Sequence, residues 1–249
     1  MISALAVFFT LISLMSHTVR CAVVPANSAS DFTSSTSYLF QNDVGALYVS
    51  QESTPTAGFE RVVSIVANIS FLDVGWDFIQ VSPAPWLLMK SENEAYYLSG
   101  YLEGYITYVR ISQILYANNF TSETPESAKT WVREHIQYIN ETSRASFPSW
   151  TAEEVLFWGS IRNQLSLMEG ITDGYNAANN DNGLKLPKIE FFDIFLLNFG
   201  NDLMDVIGAT QNTTQQSQQN NLRRLRLEQH CSALVKVTPE DIYFSHVTW

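Results

Sequence analysis

Gln229-His230-Cys231-Ser232-Ala233-Leu234-Val235-Lys236 is the stretch on which the reading of this chain turns. From Ser232 to Val237 apolar and polar residues alternate as they do in a half-buried strand. Thr238-Pro239-Glu240-Asp241 has the chemistry of a turn, and Ile242-Tyr243-Phe244-Ser245-His246-Val247 reads as a second strand. Two strands alone do not make a stable sheet, so the apolar side of this hairpin requires more strands than the sequence supplies before it closes at Trp249. The expectation is an incomplete part of a longer protein.

Working upstream, Thr210 to Asn221 is a polar low-complexity tract, Thr-Gln-Asn-Thr-Thr-Gln-Gln-Ser-Gln-Gln-Asn-Asn. Such a segment cannot bury enough apolar area to offset its ordering entropy, so residues 210–230 are expected to form an exposed linker. A linker directly ahead of Cys231 is a natural place for the chain to be cut. Opening the His230–Cys231 bond would put a thiol and an α-amine on one residue. The amine, with an ordinary pKa near 8, can then serve as general base for its own nucleophile. Cysteine counting is compatible with this but does not require it. The chain has two cysteines, Cys21 and Cys231, and loss of the first leaves one unpaired thiol. That thiol could be reactive, pair with another chain, or be buried and inert.

Residues 1–21 read as a signal peptide: an apolar run from Ile2 to Met15, polar residues after it, and small Val19 and Cys21 before the cut. The run is short of the roughly 20 residues a membrane-spanning helix needs, and no second long apolar run follows. Sequons at Asn68, Asn119, Asn140 and Asn212 fit the secretory pathway and N-glycosylation. Net charge is −11 with only 14 Lys and Arg, the opposite of the basic footprint a nucleic-acid binder needs. The short basic cluster Arg223-Arg224-Leu225-Arg226 reads as solvated or protease-accessible.

Residues 22–209 form the first chain, strands followed by helices. After a Ser/Thr-rich opening from Ser28 to Ser37, strands are expected at Gly45–Val49, Arg61–Ala67 and Trp76–Val81. Helices are expected behind a Ser91/Glu94 capping box, a Thr124 N-cap with Pro125 at N1, and a Thr151/Glu154 capping box, and again from about Ile189. Glu103 and Glu169 read as helix-surface or capping residues, and Tyr96, Tyr97, Tyr101, Tyr105 and Tyr108 as helix packing or the wall of a lipid groove. There is no Gly-x-Ser-x-Gly, His-Glu-x-x-His, P-loop or dinucleotide motif, and with four histidines no metal site or cofactor is expected.

Gln229–Lys236 together with Tyr243-Phe-Ser-His-Val-Thr-Trp249 resembles the autocleavage site and first hairpin of the phospholipase B-like (lamina ancestor-like) family of N-terminal nucleophile hydrolases. Ser99-Gly-Tyr-Leu-Glu-Gly-Tyr-Ile-Thr107, Leu167-Met-Glu-Gly-Ile-Thr-Asp-Gly-Tyr175 and Asn198-Phe-Gly-Asn-Asp-Leu203 resemble further segments of that family, in the same order. The resemblance implies an α+β fold with an αββα core and a lysosomal or extracellular location. It implies cleavage between His230 and Cys231, with Cys231 as the catalytic nucleophile. Residues 231–249 would then be the start of the catalytic chain, with His246 and Trp249 in a pocket for phospholipid or another lipid-like substrate. The partner would be the remainder of its own catalytic chain. Gln229 departs from the smaller residue expected there, and the residues that would complete the oxyanion and substrate sites lie beyond Trp249, so this chain alone is expected to be inactive. The alternative is a non-catalytic secreted glycoprotein that binds lipid or protein.

Overall fold

A computed structural model of the chain describes residues 34–68, 78–118, 123–145, 147, 149–210, 232–237 and 242–247. Four strands come first: β1 (Ser34–Asn42), β2 (Leu47–Ser50), β3 (Phe59–Asn68) and β4 (Phe78–Pro83). They form one antiparallel sheet in the order β2-β1-β3-β4. β1 begins inside the Ser/Thr-rich opening, which sequence reading left outside the sheet. Its second half, Tyr38-Leu39-Phe40, supplies the aromatic and apolar residues that favour a strand. Asn42 closes the turn after it, its side-chain carbonyl accepting from Val44 N (3.1 Å) and Ala46 N (2.8 Å).

Strand alternation gives the sheet two unlike faces. Leu39, Val63, Ile65 and Ala67 are buried. They pack with Leu87 of α1 (Pro85–Lys90) and with Ala95, Leu98 and Leu102 of α2 (Glu92–Asn118). The opposite face carries Val66, 41% exposed, and Phe78, 45% exposed. Toward β2 that face has an aromatic run in which Phe40 stacks on Tyr48 at 4.9 Å and Tyr48 meets Phe59 edge-on at 4.8 Å.

Three further helices follow: α3 (Glu126–Arg144), α4 (Ala152–Asn182) and α5 (Phe191–Thr210). The expected cap at Thr124 falls one residue later. Pro125 occupies the N-cap in extended geometry, its carbonyl accepting from Lys129 N at 3.0 Å, while Thr124 is buried. The Ser91 box forms in one direction, Glu94 N donating to Ser91 Oγ at 3.2 Å. The Thr151 box forms in both directions: Glu154 N donates to Thr151 Oγ1 (3.2 Å) and Thr151 N to Glu154 Oε2 (2.7 Å). Gly183, at φ +66, caps the far end of α4 in the left-handed conformation. Val132 and Ile139 of α3, Ile161 and Leu165 of α4, and Phe195, Phe199 and Leu203 of α5 form a second core. α5 carries the helix to Thr210, so the linker expected from 210 starts one residue later at the earliest. A separate two-stranded antiparallel sheet is formed by β5 (Ser232–Val237) and β6 (Ile242–Val247).

Candidate active site

The hairpin expected after Cys231 is present. β5 and β6 pair residue for residue from Ser232 opposite Val247 to Val237 opposite Ile242, with no shift in register. Ala233 lies opposite His246, so the histidine stands across from the second residue of β5. Cys231 is the residue immediately before that strand. His230, Cys231 and Trp249 themselves lie outside the described residues, as do the signal peptide at 1–21, the linker at 211–230, and the sequons at Asn119 and Asn212. Among the other sequons, Asn68 ends β3. Asn140 is half-buried on α3, its Oδ1 accepting from Arg144 Nε at 2.8 Å.

The Gly-Tyr-Leu-Glu-Gly and Glu-Gly-Ile-Thr-Asp-Gly segments come together as one structure. Gly100 of α2 lies against the carbonyl of Leu167, and Gly104 against that of Ile171; reciprocally, Gly170 of α4 lies against Tyr97 O and Gly174 against Tyr101 O. Partners rise together in number, so α2 and α4 are parallel. At each of the four glycines a Cβ would fall inside the contact shell of a backbone oxygen. Glycines four apart on each helix are the spacing that lets two backbones approach this closely.

Along one flank of this seam the tyrosines find acids. Tyr97 Oη donates to Asp173 Oδ2 at 2.8 Å and Tyr105 Oη to Asp181 Oδ2 at 3.0 Å, with Tyr101 stacked near Tyr105 at 6.5 Å. Burial, reinforced by the hydrogen bonds to Asp173 and Asp181, raises the Tyr97 hydroxyl far above its ordinary value and the Tyr105 hydroxyl to about 12. Both phenols are held as hydrogen-bond donors to these carboxylates. At the start of the seam Asn93 Nδ2 donates to Ser166 Oγ at 2.7 Å. Of the two readings of the tyrosine run, Tyr97 and Tyr105 follow the packing one.

The two glutamates diverge. Glu169 is a surface residue, as expected, ion-paired with Arg144 at 3.5 Å. Glu103 is not, although it retains some contact with solvent: burial pushes its carboxyl up to about 7. The folded chain then holds a proton that the unfolded chain, at an ordinary value of 4.5, has already released. Stability from this group is therefore fully present below the unfolded value, falls as pH rises between the two values, and levels off above the folded one. Glu103→Gln is expected to flatten that fall. Thermal unfolding from about pH 4 to about pH 8 should show parent and variant converging in acid and the variant more stable at neutral pH; parallel profiles would refute the assignment.

A polar cleft of about 530 Å³ opens between the β1–β2 turn, the start of β3 and α1, with Asp43, Glu60, Trp86 and Lys90 among its walls. Lys90 is already paired with Glu94 at 3.6 Å, and no group of three His, Cys, Asp or Glu that could hold a metal occurs among the described residues. No described helix is long and apolar enough to cross a membrane. The glycine–tyrosine seam was missed as a site of structure because its segments were read singly; the shared Gly-x-x-x-Gly-Tyr spacing at 100–105 and 170–175 is the signal that pairs them.

Comparison with known proteins agrees with these motifs. The family model for phospholipase B matches residues 65–249. Phospholipase B-like protein B of Dictyostelium discoideum is 28% identical over 223 residues, covering 84% of this chain and 36% of that protein. Phospholipase B-like 1 of Rattus norvegicus is 27% identical over 193 residues, covering 73% and 32%. Phospholipase B of Crotalus adamanteus is 27% identical over 194 residues, covering 73% and 34%. The chain thus spans about a third of the length of these relatives.

Proposed function

The chain belongs to the phospholipase B family, and we propose on that footing that the protein carrying it is a self-processing acyl hydrolase with Cys231 as nucleophile. The observation that carries this reading is the extent of the family match, which spans residues 65–249 and so takes in Cys231 and both strands of the hairpin. The substrate class is a phospholipid ester or a lipid amide.

In the processing step the Cys231 thiolate adds to the carbonyl carbon of His230. The peptide C–N bond breaks as the amine takes a proton, leaving a thioester to Cys231 Sγ. Water cleaves the thioester, so His230 becomes a carboxyl terminus and Cys231 regains its thiol beside a free α-amine. In turnover that amine takes the thiol proton, sulfur attacks the lipid carbonyl, and the alcohol or amine leaves with the proton returned from the ammonium. Water then releases the fatty acid. His246, across the hairpin from Ala233, and Trp249 line the acyl pocket in this reading. The donors that stabilise the oxyanion belong to the rest of the catalytic chain.

The same reading assigns an αββα core, in which the face of the β1–β4 sheet that exposes Val66 and Phe78 packs on a second sheet begun by β5 and β6. It also assigns a signal peptide at 1–21, glycans on the four sequons, and a lysosomal or extracellular destination. The rise of the Glu103 carboxyl fits an acidic compartment, because its contribution to stability is retained there. The test is terminal sequencing by mass spectrometry of the full-length protein made in a secretory host. A chain beginning Cys231-Ser-Ala-Leu is expected. Lipid hydrolysis with the His230–Cys231 bond intact would overturn self-processing; an uncut protein without hydrolysis would favour a binding glycoprotein.

A further inference from the structure

Asn182-Gly183 is the one place in the chain where an asparagine precedes a glycine. The pair closes α4: Asn182 is its last residue, and Gly183 follows at φ +66. Asparagine is among the chemically labile residues, because the backbone nitrogen of the next residue can attack its side-chain amide. A side chain on that next residue crowds the attack, and glycine has none. At a helix end a left-handed glycine usually has its N–H bonded back into the last turn, which blocks the attack.

Here that block is missing. The N–H groups that follow α1 and α3 are both taken: Ser91 N donates to Leu87 O at 2.8 Å and Ala145 N to Glu141 O at 3.1 Å. Gly183 N–H has no acceptor among the described residues. Nothing lies within 4 Å of where a Cβ on Gly183 would stand, and both residues of the pair are exposed. Asn182 Nδ2 donates to Ala178 O at 2.9 Å, and its Oδ1 has no partner among the described residues. Earlier in the same helix the contrast is plain. Asn176 and Asn179 have both ends of their amides engaged, by the backbones of Ile189 and Leu186. As the last residue of its helix, Asn182 also leaves helical geometry at little cost, which the attack requires.

We propose that Asn182 is a self-modification site, converting to aspartate and isoaspartate as the folded protein ages. Gly183 N adds to Asn182 Cγ, and its proton leaves with the side-chain nitrogen as ammonia, closing a cyclic imide. Water then opens the imide. Addition at Cγ gives aspartate; addition at the main-chain carbonyl of residue 182 gives isoaspartate, with the backbone rerouted through the former side chain. Either product adds one negative charge and removes the donor that Asn182 offered to Ala178 O. The new carboxylate stands beside Asp181 at the negative end of α4, where the helix dipole disfavours it. Modification therefore loosens the last turn of α4. The step needs only water and is independent of the hydrolase reading.

The experiment follows the full-length protein in warm neutral buffer by peptide mass mapping, beside a sample unfolded in urea at the same pH. Folded protein is expected to deamidate at Asn182 within about tenfold of the unfolded rate, and the Gly183 amide to exchange hydrogen with less than about tenfold protection. Greater slowing, or greater protection, would overturn the proposal, since the N–H would then be held or the site covered by another part of the protein. Asn182→Gln, whose imide ring is one carbon larger and closes far more slowly, should abolish the acidic isoform seen on isoelectric focusing; an unchanged isoform pattern would place the modification elsewhere. Asn182→Asp makes one product directly and should speed amide exchange in the last turn of α4, and unaltered exchange there would overturn the loosening.

Discussion

Gly174→Ala is expected to lower stability by about 3 kcal/mol, while Gly159→Ala in the same helix raises it by up to about 1 kcal/mol. Both substitutions add one methyl group to α4 and both gain helix propensity. What differs is the space around the added carbon. At Gly159 it meets nothing within 4 Å, but at Gly174 it meets the backbone of Tyr101 and lies 2.9 Å from Tyr105 N. A side chain in the way could rotate, whereas a backbone cannot. α2 must withdraw as a unit, and withdrawal loosens the hydrogen bonds from Tyr97 to Asp173 and from Tyr105 to Asp181. Overpacking typically costs about 1–3 kcal/mol, and this case belongs at the upper end because two helices move together. Gly104→Ala, which meets Ile171 O from the other helix, should cost a similar amount. The double variant should cost less than the sum, since the first methyl has already parted the helices. Urea unfolding of the four proteins decides the matter. Equal effects at 159 and 174 would mean the helices are not in backbone contact.

That seam shows where sequence reading reached its limit. Local signals gave good element positions: the Thr151 box, the β-branched run at 61–67 and the alternation at 232–237 each mark structure that is present. Each is settled by neighbours within a few residues. β1 was lost because Ser34–Ser37 resembles a linker in isolation and becomes a strand through pairing with β3, from Ser34 opposite Asn68 to Ser37 opposite Ile65. Glu103 was misplaced for a related reason. Its helical position looks solvated, and only the tertiary surroundings that desolvate its carboxyl reveal otherwise. The reading of Cys231 rests on resemblance and on its place directly before a strand, and its own surroundings lie outside the described residues.

Cys231→Ala and Cys231→Ser should therefore separate what the thiol does from where it sits. If the proposed mechanism holds, the alanine variant of the full-length protein lacks the nucleophile, so the His230–Cys231 bond is expected to stay intact and lipid hydrolysis to fall by about 10⁴-fold or more. The serine variant keeps an oxygen nucleophile in the same place. Its hydroxyl is a far weaker nucleophile at neutral pH than a thiol that is a few per cent thiolate, so processing is expected to slow and not to vanish. Any serine chain that is cut gains the same α-amine as base, and should show residual hydrolysis in proportion to the cut fraction. Gel analysis of processing beside fatty-acid release gives both quantities from one preparation. Proportionality in the serine variant would tie turnover to the freed terminus; hydrolysis in uncut alanine protein would place the nucleophile elsewhere. Replacing Gln229 with glycine provides the complementary gain. If the bulk of Gln229 restrains strain at the cleaved bond, Gln229→Gly should speed cutting in the parent and in the serine variant, and leave the alanine variant uncut.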